Sequence, residues 1–326
     1  MMKHRPASSA AALAFAIAST TPPKRKDPGS DGRQTNVCRV EFPDGMIYEG
    51  SLSVDGGMPS GWGTLVLPDN VVYEGDWRDG RIHGHGALRL PNGNVYWGCW
   101  VEGRKHGSGT FVWADGSRYD GAYRAGKRSG VGVLHYSAGA TFTGQFECDL
   151  RHGSGCLVLP DGSSYDGEWA SDAPHGYGVY VEAGAGGERF EGSWNRGVRS
   201  GAGTLVQGYE LSEDGNTAGV DGEDEIKSGE TFGGTAWYSG NFDLGLPHGD
   251  GVMGYGPATF CGHIEHGVWT GGGGRVDLGD GSGTFEGTWS DGLPQGRGRW
   301  CKKDSLGETG ADCSFKEGYA KLIWPG

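Results

Sequence analysis

A string of about 23 residues, opening Tyr-Glu-Gly-Asp-Trp and passing through His-Gly-His-Gly, recurs along the chain. A repeat of that length constrains the fold more than any other feature of the sequence. Its leading aromatics are Tyr48, Tyr73, Tyr96, Tyr119, Phe142, Tyr165, Phe190, Tyr238, Phe260 and Phe285, ten copies in all. Successive leaders lie 25, 23, 23, 23, 23, 25, 48, 22 and 25 residues apart, and the interval of 48 is one copy plus an insertion. A unit so short cannot bury an apolar face alone, so neighbours must stack, each touching only the next.

One copy indicates how. Tyr73, Gly75 and Trp77 alternate with Glu74 and Asp76, which is the period of a strand, so the first three share a face and the two acids are expected to meet water. A turn through Gly80 leads to a second strand that places Gly84, Gly86, Leu88 and Leu90 on one face. Pro91-Asn92-Gly93 then makes the next turn, because Asn-Gly favours positive φ. Leu88, Phe111, Leu134 and Leu157 fall in one column, which requires hairpins laid side by side.

Glycine supplies 67 of 326 residues, yet 12 Trp, 13 Tyr and 11 Phe set the chain apart from disordered sequences. No glycine recurs at every third place, which excludes collagen. Glycines two, eleven and thirteen residues after the leader are expected to leave room for facing Tyr, Trp and Leu side chains. The sequence therefore predicts an all-β fold: an elongated, single-layer antiparallel β-meander or solenoid of about ten β-hairpin repeats of 23 residues.

The predicted organisation is a leader at 1–37, repeats one to seven at 38–208, an acidic Gly-rich insert at 209–236 read as a mobile loop, repeats eight to ten at 237–302, and a tail at 303–326 placed to cap a sheet edge. In the leader, Lys3, His4 and Arg5 precede an apolar run from Ala10 to Ala18, the outline of a secretory signal. The run is short and alanine-rich, so a disordered Ala/Ser/Pro segment is the preferred reading, with a signal or transit peptide as the alternative. No stretch has the length of a membrane span. A net charge of −13 argues against nucleic-acid binding. The seven cysteines, Cys38, Cys99, Cys148, Cys156, Cys261, Cys301 and Cys313, are odd in number and form no CxxC pair. This argues against a disulfide framework or zinc site and for a reducing compartment.

Histidine recurs in the repeat as His83, His106, His152, His175 and His248, but Ser60, Ser129, Ser200, Thr270 and Gln295 replace it elsewhere. A catalytic base is not exchanged for serine in alternate copies, whereas a turn hydrogen bond suits all of these side chains. Gly121 to Lys127 approaches a phosphate loop but continues with Arg128 where a hydroxyl is needed. No catalytic, cofactor or metal site is expected. One pattern remains. Arg78, Arg81, Arg104, Lys105, Arg124, Lys127, Arg128, Arg151, Arg196 and Arg199 collect in the turn between the two strands of a copy, and stacking would line them along one edge. Such an edge suits anionic lipid head groups or an acidic protein tail, unless it only keeps the turns soluble.

The signature Tyr73, Gly75, Trp77, Gly80, His83, Gly84, Gly86 and Gly93, echoed at Tyr96, Trp100, His106, Tyr165, Trp169 and His175, resembles the MORN (membrane occupation and recognition nexus) repeat. The likeness covers most of the chain, and the last copies depart from it: Ile264 replaces Trp, and Thr270 and Gln295 replace His. The resemblance implies a β-meander and a non-enzymatic scaffold docking cytoskeletal or axonemal protein partners, like the radial-spoke-head type of family member. It implies the cytoplasm, cytoskeleton or a cilium as location. Two alternatives stand beside it: a peripheral binder of anionic phospholipid, and, more remotely, a regulatory subunit of a lipid kinase or other enzyme. Unpaired edge strands also leave a homodimer open.

Overall fold

The computed structural model describes residues 37–54, 57–209, 236–255, 258–270, 273–277, 279, 283–290, 293–304, 307–316 and 319–322. The expectations for the leader and for the acidic insert lie outside these residues except at their boundary positions Val37, Tyr209 and Ala236, each of which stands at the end of a strand. Among the described residues every regular element is a strand, and the paired strands run antiparallel in hairpin succession, so the all-β meander of the sequence is the fold. The described residues divide into two compact units, the first reaching Pro160 and taking in Trp169–Asp172, the second holding Asp161–Glu168 and the described residues from Ala173 onward.

In the first unit one copy is the hairpin Val72–Arg78 with Arg81–Arg89, followed by Val95–Val101 with Arg104–Val112. Its tight end is a two-residue turn with Asp79 at φ 48° and Gly80 at φ 75°, the left-handed pair that matches the twist of a hairpin. The other end differs from expectation. Of Asn92 and Gly93, only Gly93 takes positive φ (88°), while the Asn92 side-chain Oδ1 accepts from the Asn94 N–H at 3.1 Å. Asn92 thus acts through its side chain.

The His-Gly motif proves to be a bulge. Gly75 stands opposite Gly86, but Trp77 stands opposite Ile82, so His83, Gly84 and His85 together face Asp76. Gly84 turns the strand at φ 63°, and the Asp76 carboxylate fills the notch, accepting from the His85 N–H at 2.8 Å. Two expectations are corrected here. Asp76 bonds the neighbouring strand and does not simply meet water. Gly84 makes room for Asp76, not for an aromatic ring, since a Cβ there would stand 2.6 Å from Asp76 Oδ2. The histidines differ among copies: among the described residues His83 Nδ1 and His248 Nδ1 are buried without a hydrogen-bond partner, whereas His152 Nε2 lies 3.5 Å from Glu147 Oε2 beside the tight turn. The conformation belongs to the glycine, and histidine occupies a slot that serine also fits.

The other two glycines behave as anticipated. The Tyr73 ring lies flat across Gly75 and Gly86, and a Cβ on Gly86 would come within 2.6 Å of the ring carbons Cε2 and Cζ. Tyr73 Oη reaches past them to donate to the Asp76 carbonyl at 3.0 Å. Each second aromatic wedges edge-on between two leaders: Trp77 meets Tyr48 and Tyr73, each at 5.4 Å, and Trp100 meets Tyr73 at 5.6 Å and Tyr96 at 5.0 Å. Edge-to-face contact of this kind is favourable beyond area burial. The indole N–H of Trp77 donates to the Gly63 carbonyl and that of Trp100 to the Gly86 carbonyl, both at 3.2 Å.

The second unit repeats the arrangement. Tyr165, Trp194, Phe190, Phe242 and Tyr238 form its ring ladder. In the copy led by Phe260 the pattern alters: Ile264 holds the wedge position, and Trp269 packs on Phe260 with ring centroids 3.8 Å apart. Strands continue into the stretch read as a tail, because Leu293–Asp304 pairs with Gly307–Lys316, which pairs with Tyr319–Leu322.

Candidate interaction surface

The basic residues begin at the tight turns, where consecutive side chains point to opposite faces of the strand. Within each unit the basic residues therefore divide between the turn ends and the aromatic face. In the first unit Arg78, Arg81, Arg104, Arg124 and Lys127 are exposed at the turn ends. Arg78 stands opposite Arg81, and Arg124 opposite Lys127. Like charges so placed repel each other. Arg81 is paired with Glu102 of the next turn. Among the described residues Arg78, Arg104, Arg124 and Lys127 have no ion pair.

Lys105, Arg128 and Arg151 stand one residue further on and turn onto the aromatic face. Arg151 stacks over the Trp169 ring at 4.2 Å, and Arg128 lies 5.3 Å from the Phe146 ring centroid. Each arginine is also held by an aspartate from the turn of the following copy. Asp149 Oδ1 accepts from the Arg128 N–H at 2.9 Å, and Asp172 Oδ1 accepts from the Arg151 N–H at 2.8 Å. The guanidinium groups donate in return to the carbonyls of Asp149 (2.6 Å) and Asp172 (2.7 Å). Lys105 is surrounded by Tyr96, Phe111 and Tyr123, and burial pushes its amine down to about 8. In the second unit Arg196 is exposed at a turn, while Arg199 packs on Phe190 and pairs with Glu188.

Sequence reasoning did not single out Asp149 and Asp172. Their signal is positional. Both stand where the other tight turns carry glycine, at φ 77° and 68°, and each lies 21 residues after an arginine.

Among the described residues no group of His, Cys, Asp and Glu is placed to hold a metal ion, and no helix is long and apolar enough to cross a membrane. The described surface offers cations on turns and cations over rings.

The sequence profile described as the MORN repeat matches residues 73–95, 96–118, 119–141, 142–164, 165–181, 190–207, 238–256 and 285–305. The chain belongs to the MORN-repeat family. The copies led by Tyr48 and Phe260 are not matched by that profile, although Tyr48 lies over Gly50 and Gly63 as the other leaders lie over theirs. MORN-repeat proteins are in general binding scaffolds and not catalysts, and interaction with proteins is the role this membership gives the chain.

No curated protein matches the sequence. Among solved structures, the TCP domain of Drosophila melanogaster SAS-4 (dCPAP), in complex with a proline-rich motif of Ana2, is 10% identical and has a TM-score of 0.28, covering 49% of this chain and 91% of that one. The G-box domain of the microcephaly protein CPAP is 14% identical with a TM-score of 0.28, covering 56% and 96%. The TCP10 domain of Danio rerio CPAP is 14% identical with a TM-score of 0.24, covering 85% and 99%. Scores this low have no bearing on the partners or location of the MORN protein.

Proposed function

We propose that the protein is a non-enzymatic scaffold whose first unit docks an acidic protein surface of the cytoskeleton or axoneme along its basic turns. The supporting observation is the set Arg78, Arg104, Arg124 and Lys127, exposed on successive turns and lacking ion pairs among the described residues. Adjacent copies are two strands apart, so their turns step by about 10 Å. An extended acidic chain can follow such a row, and the attraction weakens with salt.

The second reading is an anionic membrane, supported by Arg124 and Lys127 facing each other across one turn. Sedimentation with microtubules, with and without protease-trimmed acidic tails, separates the two when run beside phosphatidylserine vesicles. Docking to intact but not trimmed microtubules supports the scaffold reading. Capture by vesicles alone replaces it with the membrane reading. Unchanged docking by the Arg78→Glu, Arg104→Glu, Arg124→Glu, Lys127→Glu variant removes the basic row from both.

A further inference from the structure

Four cations occupy the same slot on the aromatic face, nine residues after the leader: Lys105, Arg128, Arg151 and Arg199. Arg128 pairs with Asp149, Arg151 with Asp172, and Arg199 with Glu188. Lys105 differs. Among the described residues it has no ion pair: its ammonium lies among rings, with Nζ 4.1 Å from the Phe111 centroid, 4.7 Å from Tyr96 and 5.7 Å from Tyr123, and Asp149, already paired with Arg128, attracts it only from beyond ion-pair distance.

The cause lies in the next turn. The residue 21 positions after Arg128 is Asp149 and after Arg151 is Asp172, but after Lys105 it is Gly126. Gly126 keeps the backbone part of the arrangement, its N–H donating to the Lys105 carbonyl at 2.8 Å, as the Asp149 N–H does to the Arg128 carbonyl at 3.0 Å. It lacks the carboxylate, and a Cβ built on it would meet nothing within 4 Å. The place that Asp149 fills in the next copy is therefore open. A half-buried cation with an open counter-ion position is a receptor for an anionic side chain.

We propose that Lys105, walled by Tyr96, Phe111 and Tyr123 and open above Gly126, is a carboxylate-binding subsite that takes an Asp or Glu side chain of the docked acidic partner. This rests on the docking reading above and deepens it. The partner's chain follows the turns through Arg104, Arg124 and Lys127, and one of its carboxylates turns inward over Gly126 to complete the pair that the repeat leaves incomplete.

The test uses the full chain and a fluorescein-labelled oligoglutamate peptide, with affinity read by anisotropy. Lys105→Met keeps the stem over the rings and removes the charge, and it is expected to weaken binding about tenfold, or about 1.4 kcal/mol. Lys105→Arg should bind as the parent does. Gly126→Asp should raise the melting temperature by closing the pair internally, and should weaken peptide binding while Arg124 and Lys127 remain. Parent-like affinity of Lys105→Met, with loss of binding in Arg124→Glu, Lys127→Glu, overturns the subsite and leaves the edge reading standing. Loss in Lys105→Met with parent-like binding of the edge variant supports the subsite and overturns the edge. Should Lys105→Met lose both binding and folded stability while Lys105→Arg restores only stability, the lysine is structural and the subsite is overturned.

Discussion

Asp149 reaches back across the repeat boundary to Arg128: one carboxylate oxygen accepts from the Arg128 backbone N–H at 2.9 Å and lies 3.4 Å from its Nε. Asp149 adopts φ 77° to do so, a conformation that costs an ordinary side chain, where other tight turns have glycine. The bond to a charged group offsets that cost. Asp149→Gly is expected to relieve the backbone yet destabilise the protein by about 1–2 kcal/mol, toward the lower end for charged hydrogen bonds because the carboxylate is 45% exposed. Urea unfolding measures it. A variant as stable as the parent contradicts the clamp.

The Tyr73–Gly86 contact predicts a rescue. Gly86→Ala places a methyl group inside the Tyr73 ring position and is expected to cost about 1–3 kcal/mol through overpacking. Tyr73→Ala empties the site and is expected to cost about 3–5 kcal/mol, as is Trp77→Ala, whose ring wedges between Tyr48 and Tyr73. The double variant Gly86→Ala, Tyr73→Ala should lose less than the sum of its singles by about 1–3 kcal/mol, because the methyl then has room. Strict additivity in a denaturant cycle contradicts the ring-over-glycine packing.

The pairing of strands was legible because Tyr73, Gly75, Trp77 and Gly86 recur in register, and steric fit between a ring and a missing side chain depends only on residue type. The bulge was not. Nothing in the spacing of His83, Gly84 and His85 states that all three face Asp76, since that offset arises from how two strands pair, not from the period of either. The division of the basic residues has a simpler cause, the alternation of side chains along a strand. Arg104 and Lys105 are neighbours in sequence, yet one projects at the turn and the other lies over Phe111. The clamps were legible in part, as Asp149 and Asp172 replace a turn glycine at a fixed distance after an arginine, but their target is set by the stacking of copies.

Lys105 gives the protein a stability window in pH. Burial lowers its amine from 10.5 to about 8 in the folded chain. Between those values the unfolded chain holds a proton that the folded chain has released, so stability rises with pH. The groups around the amine are the phenols of Tyr96 and Tyr123, with Asp149 the nearby carboxylate that opposes the shift. The urea midpoint should climb from about 8 to about 10, and Lys105→Met should flatten that climb. An equal climb in the variant assigns the effect to other groups.

Above that window the tyrosines act in the opposite sense. Burial raises the phenol of Tyr48 from 10.0 to about 12, and it raises Tyr73, Tyr96, Tyr119 and Tyr123 further, with the Asp76 carboxylate adding to the effect at Tyr73. A phenol held neutral by the fold contributes stability that is complete below the unfolded value and is lost as pH rises toward the folded one. Each ladder tyrosine that ionises must also give up its place over the glycines, where Tyr73 Oη donates to the Asp76 carbonyl. Ionisation of the ladder and unfolding should therefore coincide. Phenolate absorbance of the folded chain is expected to show a late step that tracks loss of the strand circular dichroism signal, whereas in concentrated urea the same phenols titrate near 10. Full phenolate absorbance near 10 with the strand signal intact means that the rings are open to solvent, and the ladder as described does not hold.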